Sequence, residues 1–345
     1  MRAHARIAGW GLLGTAVAFA SLASACLIGP YPIPLHDALT ALLSAVGLSH
    51  APENPMVSVV VLDIRAGRAC LAFLVGASLA VAGAVYQAVL QNALADPYTL
   101  GVASGAALGA SLAISLGFTS LPFLPGMTSL PLFGLMGALA ALAMVLSLGR
   151  AAGGARRETL VLAGVVTAAF LAALISLVKA LDEESVSSIV FWIMGSLQGR
   201  GWPHVRLVAP FALVGFAVAG LRHRELDLLS LGSTQAEQLG VPARRTRLLL
   251  LAAASLSAGA AVAVCGVIGF VGLVAPHLVR LLRGAAHGPL LLGSGLLGGV
   301  LLVWADIVAR AALSGGELPV GVVTALIGGP FFCLLLVRKL PGERP

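Results

Sequence analysis

The stretch that decides the fold is residues 248–282, LLLLAAASLSAGAAVAVCGVIGFVGLVAPHLVRLL, which contains no Lys, Arg, Asp or Glu before Arg280. A helix needs about 20 mostly apolar residues to cross the hydrocarbon core of a bilayer, so this stretch is too long for one crossing. Its glycines at 266, 269 and 272 could form a tight turn. We predict two short membrane-spanning helices here, Leu248–Cys265 and Gly266–Leu282.

The composition of the whole chain agrees with a membrane location. Of 345 residues, 59% are hydrophobic and 10% are charged, and the mean hydropathy is +1.01. Soluble proteins carry about 25% charged residues, so this chain has too few to cover a surface in water. The net charge of +7 comes from arginines scattered in short loops, which argues against nucleic-acid binding. The four cysteines show no C-x-x-C spacing, so neither zinc nor a disulfide framework is indicated.

Ten apolar stretches of spanning length predict an all-α, polytopic bundle of transmembrane helices. The predicted spans are Ile7–Gly29, Ala69–Leu90, Leu100–Phe118, Leu130–Leu148, Thr159–Val178, Val205–Leu221, Leu248–Cys265, Gly266–Leu282, Pro289–Ala311 and Pro319–Val337. The first of them also resembles a signal peptide with a lipoprotein-like cleavage site before Cys26, which is the alternative for that segment. Because every later segment is also membrane-embedded, we predict a retained first span.

The distribution of positive charge orients the spans. With ten spans and a cytoplasmic N-terminus, 15 of the 21 Lys and Arg residues fall on the cytoplasmic side, as expected for membrane proteins. The other six share the outer side with eight acidic residues. Merging the two spans of residues 248–282 would move Arg338 and Lys339 outside. We therefore predict that both termini are cytoplasmic.

The longest predicted inner loop, residues 222–247, contains signals for two short helices. Asp227 can cap a helix over Leu228–Leu231, and the Thr234–Glu237 segment fits a capping box for a second helix that Gly240 would end. Such short helices are marginal alone, and exposed leucines on them indicate a cytoplasmic partner protein. The alternative is that both helices lie on lipid headgroups.

The chain carries no recognisable catalytic motif. A P-loop needs a lysine directly after glycine, whereas Lys179 follows valine and Lys339 follows arginine. An ion-coupled carrier is expected to bury acidic residues within its spans, but Asp63, Asp96 and Asp306 lie at predicted span ends. The energy for any transport must then come from another subunit, and we predict no cofactor or metal on this chain.

A series of motifs between residues 65 and 337 carries a family resemblance. They are Arg65-Ala66-Gly67-Arg68, Gln91-Asn92-Ala93-Leu94-Ala95-Asp96-Pro97, Leu162-Ala163-Gly164, Trp192–Leu197, Leu226–Val241, Gly269–Arg280, Ala305–Arg310 and Glu317–Val322. In this order they resemble the FecCD-type permease family, the membrane subunits of ABC importers for iron chelates, haem and cobalamin. The family usually has proline where this chain has Gly67 and Ala93, so both turns are expected to be less rigid here. The resemblance implies a type II ABC importer permease fold for residues 1–345.

The resemblance also implies roles for particular residues. Arg65, Arg68 and Arg310 would lie at the outer mouth and meet glutamates of a substrate-binding protein, since isolated outer arginines can orient a partner by charge. The alternative for them is contact with lipid phosphates. The loop of residues 222–247 would couple the chain to an ATPase through Leu226, Leu228, Leu229, Leu231, Gly232, Thr234, Glu237, Leu239 and Gly240. The translocation path or its gates would include Gln87, Arg157, Glu158, Thr159, Trp192 and Ser196.

The resemblance implies a complete assembly. Two permease copies would form a homodimer in the bacterial inner membrane, with two ATPase subunits that bind ATP and Mg²⁺ and a binding protein on the outer side. The cargo would be a ferric siderophore or haem, and this chain would not itself be an enzyme. A cobalamin importer of the same family is the alternative, and a secondary carrier or channel without an ATPase is the rival class.

Overall fold

The computed structural model describes residues 2–29, 31–118, 128–152, 156–313 and 315–339, which form fourteen helices and no β-strand. In chain order they are α1 Arg2–Leu27, α2 Leu35–Ala45, α3 Pro55–Leu90, α4 Val102–Ser115, α5 Leu130–Ala151, α6 Arg157–Leu181, α7 Val186–Ile193, α8 Trp202–Leu221, α9 His223–Ser230, α10 Ser233–Gln238, α11 Ala243–Cys265, α12 Val271–Arg283, α13 His287–Ala311 and α14 Val320–Lys339. The all-α prediction is confirmed for this part of the chain. Arg344, one of the predicted inner charges, lies outside the described residues.

Each predicted span coincides with a helix, but the helices differ in length. Six of them, α3, α5, α6, α8, α11 and α13, are long and apolar enough to cross a membrane. Three shorter apolar segments are Gly11–Leu27, Val102–Ser115 and Val320–Leu335. The helix α12 has 13 residues. A helical bundle with several helices long and apolar enough to span a membrane is therefore established, and the count of ten spans stays a prediction.

Residues 248–282 are divided between two helices, as predicted. The first helix, α11, ends at Cys265, and Gly266 turns the chain with a φ of +73°. A side chain at Gly266 would place its Cβ 2.1 Å from the carbonyl oxygen of Trp192, so close approach also requires glycine there. The second helix starts at Val271 instead of the predicted Gly266, because Gly266 and Val267 leave the helical path and contact the backbone of Trp192 and Gly195.

The centre of the bundle is formed by α3 and α11. In their most apolar windows, 83% of the α3 residues and 78% of the α11 residues are buried, against 28% in both α6 and α8. The pattern places α6 and α8 at the periphery, with apolar side chains such as Leu162, Phe170 and Leu213 exposed. Apolar side chains on that surface are expected when the surrounding solvent is lipid.

Small residues bring α3 and α13 into backbone contact. A Cβ built on Gly76 of α3 would lie 2.2 Å from the carbonyl oxygen of Gly298 on α13. Ala80, one turn after Gly76, also packs against Gly298, so two small residues of α3 contact α13. The two helix backbones are therefore in close contact at these positions.

The helix α3 begins at Pro55, well before its predicted start at Ala69. Residues Val59–Ala66 adopt π-helical hydrogen bonding, which interrupts the regular ladder. The indole Nε1 of Trp202 donates to the carbonyl oxygen of Leu62 at 2.9 Å, so a neighbouring helix satisfies a backbone group in this segment. Within and just after the π-helical turn, α3 carries the two arginines of the first motif.

Candidate functional site

Five charged side chains from α3, α13 and the segment before α14 meet at one end of the bundle. We call them the arginine cluster, which consists of Arg65, Arg68, Asp306, Arg310 and Glu317. Arg68 donates to Asp306 at 2.8 Å and to Glu317 at 2.8 Å. Arg310 lies one helical turn after Asp306 and pairs with its second carboxylate oxygen at 3.1 Å. A single buried carboxylate thus serves two guanidinium groups.

The cluster also holds the end of α1. Arg65 Nη1 donates to the carbonyl oxygens of Cys26 at 3.0 Å and Leu27 at 2.9 Å, and its Nη2 donates to that of Tyr31. Arg310 donates to the carbonyl oxygen of Ile28 at 3.1 Å. The last carbonyl groups of a helix have no partner within that helix, and positive charge is favourable there. The two arginines therefore cap α1 from neighbouring helices.

The three arginines are not isolated in this structure. Arg65 is 3% exposed, Arg68 8% and Arg310 5%, and each is hydrogen-bonded within the chain. The spacing of Asp306 and Arg310, four residues apart on one helix, is a local signal that predicts their pairing. The partners of Arg68 lie more than 230 residues away along the chain, so no sequence pattern reveals them. The docking role of the three arginines stays a prediction.

At the other end of the bundle lie α9 and α10, which we call the short-helix pair. Both helices exist as predicted, but their caps differ. The first begins at His223, and the Asp227 carboxylate accepts from the backbone N–H of His287 at 2.8 Å instead of capping its own helix. The second begins at Ser233 after Gly232, whose φ is +118°, so the predicted capping box of Thr234 and Glu237 is wrong.

The leucines of the short-helix pair, counted with Leu231 and Leu239 that directly follow its two helices, divide into buried and exposed sets. Leu226 and Leu229 are fully buried and Leu228 is partly buried, so these three attach α9 to the bundle. Leu231 is 59% exposed and Leu239 is 60% exposed. The two exposed leucines border a surface cavity of about 360 Å³ together with Gln235 and Gln238. Thr234, Glu237 and Gly240 also lie on the surface.

A second cavity, of about 430 Å³, separates the short-helix pair from the start of α6. Arg157 and Glu158 line it and form an ion pair, and Arg157 also donates to the side-chain oxygen of Gln91. Thr159 is partly buried at the same helix start. The structure thus places these three predicted gate residues close to the predicted coupling helices.

The other predicted path residues lie apart from that cavity. Gln87 is buried, donates to the carbonyl oxygen of Gly272 at 3.2 Å and accepts from Arg280 at 2.6 Å. Trp192 is 9% exposed, and its indole nitrogen has no hydrogen-bond partner among the described residues. The backbone N–H of Ser196 donates to the carbonyl oxygen of Cys265 at 2.8 Å. Their role in a path stays a prediction.

In the loop after α3, side-chain hydrogen bonds hold the backbone near Ala93, where the family usually has proline. Asn92 accepts from the backbone N–H of Leu94 at 2.9 Å. Asp96 accepts from the backbone N–H groups of Tyr98 at 3.0 Å and Thr99 at 3.1 Å, and from the Thr99 hydroxyl. Removal from water raises the pKa of the Asp96 carboxyl from 3.8 to about 6, although these hydrogen bonds oppose the shift.

No group of three or more His, Cys, Asp or Glu side chains that could hold a metal ion occurs among the described residues.

Comparison with known proteins gives the family. The model of the FecCD transport family matches residues 16–338. This chain belongs to the FecCD transport family. The expectation from the sequence motifs is therefore confirmed.

Relatives of this FecCD chain match it over most of its length. The ABC transporter permease protein YvrB of Bacillus subtilis (strain 168) is 42% identical, over 95% of this chain and 94% of the relative. The cobalamin import system permease protein BtuC of Halobacterium salinarum is 39% identical, over 97% of both chains. The Fe(3+) dicitrate transport system permease protein FecD of Escherichia coli is 41% identical, over 81% of this chain and 85% of the relative.

A solved structure is also similar to this FecCD chain. It is an inward-facing conformation of a metal-chelate type ABC transporter, with a TM-score of 0.83 and 30% identity. The similarity covers 96% of this chain and 99% of that one. The helix arrangement described above is therefore that of an ABC transporter membrane subunit.

Proposed function

We propose that this chain is the permease subunit of an ABC importer that carries an iron chelate, a ferric siderophore or haem, across the inner membrane. The observation that carries the proposal is the FecCD match over residues 16–338, which includes both the arginine cluster and the short-helix pair. The relative named for Fe(3+) dicitrate supports an iron chelate. The relative named for cobalamin, similar over 97% of both chains, supports cobalamin as the alternative cargo.

The proposed assembly contains two copies of this permease, two ATPase subunits and a substrate-binding protein. Each permease chain, residues 1–345, would be one domain that crosses the membrane ten times with both termini in the cytoplasm. ATP and Mg²⁺ would bind to the ATPase subunits, because this sequence lacks a P-loop. This chain supplies the passage and has no ATPase activity of its own.

The two ends of the bundle would serve different partners. The arginine cluster lies on the outer side, where Arg65, Arg68 and Arg310 receive carboxylates of the binding protein. The short-helix pair lies on the inner side and seats in a groove of the ATPase through Leu231 and Leu239. Gln87, Trp192 and Ser196 border the passage, and Arg157, Glu158 and Thr159 form part of its inner gate. In this assignment the exposed leucines are covered only in the complex.

Reconstitution tests the proposal. The permease, its ATPase and its binding protein are placed in liposomes, and uptake of a ferric siderophore, haem and cobalamin is measured with ATP inside. We expect accumulation of one of these cargoes that vanadate abolishes and that a proton-gradient uncoupler leaves unchanged. Accumulation by the permease alone, or uptake that the uncoupler abolishes and vanadate does not, would establish the secondary carrier instead.

A further inference from the structure

The short helix α9 is fastened to two long helices by side chains to which the sequence motifs assign no role of this kind. The amide nitrogen of Gln91, the residue that ends α3, donates to the carbonyl oxygens of Leu229 and Ser230, each at 3.0 Å. These carbonyl groups belong to the last turn of α9, and that of Leu229 also accepts from the backbone N–H of Gly232 at 3.2 Å. Gln91 therefore ties the end of α9 to the end of α3.

The middle of α9 is fastened to α13. Asp227 accepts from the backbone N–H of His287 at 2.8 Å and contacts its ring Nδ1 at 2.7 Å. His287 is the first residue of α13, so the carboxylate caps that helix and satisfies one of its unpaired N–H groups. The His287 side chain is 5% exposed and the Asp227 side chain is 42% exposed, so the contact lies at the edge of the bundle with its histidine enclosed.

The same two long helices meet again at the arginine cluster. Arg68 of α3 binds Asp306 of α13, and between the two ends Gly76 and Gly298 bring the backbones into contact. From Arg68 to Gln91 the helix extends about 34 Å at 1.5 Å per residue. Backbone contact at the middle and a buried ion pair at the far end leave α3 and α13 little freedom to move separately. A displacement of α9 is then passed to both helices together.

We propose that Gln91, Asp227 and His287 form a joint that transmits movement of α9 through α3 and α13 to the arginine cluster. The inference rests on the proposed function, because it takes α9 as the contact for the ATPase and the cluster as the contact for the binding protein. The three residues are positioning residues, since they touch neither cargo nor nucleotide. Without the joint, α9 would stay attached through Leu226 and Leu229 but would move without carrying the long helices.

The experiment measures how far ATP changes the affinity of the binding protein for the reconstituted complex. Coupling between two binding sites is reciprocal, so ATP at the inner side must alter docking at the outer side if the joint transmits movement. We expect the double substitution of Gln91→Ala and Asp227→Ala to reduce the ATP-dependent change in Kd by about tenfold, within the range usual for coupled sites. A loss of packing alone would weaken binding of the binding protein by the same factor with and without ATP. The ratio of the two Kd values would then be unchanged.

The matched control is Glu225→Ala on the same helix. Glu225 pairs with Arg222 three residues earlier at 2.8 Å and so does not join α9 to α3 or α13. The control is expected to keep the full ATP-dependent change. If the double variant does not assemble, His287→Asn keeps the backbone N–H for Asp227 and removes the ring, and it is expected to reduce the ratio partly.

The joint would be overturned if the double variant kept the wild-type ratio of Kd values while the wild-type complex imports cargo. Where only His287→Asn assembles, an unchanged ratio in that variant would overturn it. A wild-type complex without any response of the binding protein to ATP would instead overturn the proposed function, and the joint with it. The two failures are therefore distinguishable from the wild-type measurement.

Discussion

The arginine cluster and the short-helix pair lie at opposite ends of α3 and α13, and they treat their conspicuous side chains in opposite ways. In the cluster, three arginines are buried and bonded to Asp306, Glu317 and the end of α1. In the short-helix pair, two leucines are about 60% exposed. The arginines at the charged end are paired within the chain, whereas the two leucines at the other end are exposed.

The difference shows which partner requires rearrangement of this chain. A protein that covers Leu231 and Leu239 gains apolar burial without breaking a contact within the permease. A protein that offers carboxylates to Arg68 must compete with two carboxylates already bound there. Docking at the arginine cluster is thus expected to be linked to a change within the permease, and docking at the short-helix pair is not.

The largest expected effect is the loss of the shared carboxylate in the cluster. Asp306→Asn leaves the buried guanidinium groups of Arg68 and Arg310 without their common counter-charge. Removing one partner from a buried ion pair costs about 3–5 kcal/mol. Thermal unfolding of the purified permease in detergent would measure this loss. A variant as stable as the wild type would show that the shared carboxylate of the cluster does not stabilise the fold.

The second effect separates stability from partner binding at the short-helix pair. We expect Leu231→Ser with Leu239→Ser to weaken ATPase binding by about 2 kcal/mol or more. Full burial of an exposed leucine contributes about 1.5–3 kcal/mol, and each of these is about 60% exposed before binding. The stability of the isolated permease should change by no more than about 0.5 kcal/mol per site, as for other surface positions.

The matched control for these leucines is Leu229→Ala. Leu229 is 3% exposed, so its truncation should destabilise the permease itself by about 2–5 kcal/mol. Affinity measured by surface plasmon resonance and stability measured in detergent give both comparisons. Unchanged ATPase affinity in the double serine variant would contradict the docking role of the exposed leucines.

A smaller effect is expected from Glu317→Gln. The Glu317 side chain is 16% exposed, but Arg68 keeps Asp306 as a partner, so the cost in stability should be about 1.5–3 kcal/mol, less than for Asp306→Asn. The neutral amide competes less well for Arg68, and the affinity of the binding protein should rise a few-fold in low salt. Weaker docking in this variant would indicate that Glu317, not Arg68, contacts the partner.

The last prediction concerns pH and the loop after α3. The pKa of Asp96 is raised from 3.8 to about 6 by burial, so the folded state binds a proton more tightly than the unfolded chain. This group therefore favours folding below about pH 4, and its contribution is lost as the pH rises towards 6. Asp96→Asn should remove that decline. Melting temperatures of both proteins between pH 4 and 7 would show it, and parallel curves would contradict it.

Much of the fold could be predicted because lipid makes apolar length a strong signal. The division of residues 248–282 was correct, since neither a single helix nor a loop accommodates so long an apolar run. The boundary was placed at Gly266 instead of Val271 because the turn depends on contacts with the Trp192 backbone, which no local pattern contains. The extension of α3 to Pro55 was missed for a similar reason, since its π-helical segment is supported by Trp202.

The candidate site was predictable only in its local parts. The residues 222–247 were correctly predicted to form two short helices, because glycine and proline mark their ends. Their caps were mispredicted because Asp227 has a better partner in His287, 60 residues later. The arginines of the cluster were expected to be free because their acidic partners are distant in sequence.

The sequence by itself determined that this chain is an α-helical membrane protein of the FecCD family, because hydrophobic length and short motifs are properties of neighbouring residues. The tertiary structure alone decided which charges are free and which are paired. That outcome depends on close approach of α3 and α13 at Gly76 and Gly298, which brings Arg68 onto Asp306. Burial and pairing arise from helices distant along the chain, and in lipid such pairing is favoured because few other partners exist for a charged side chain.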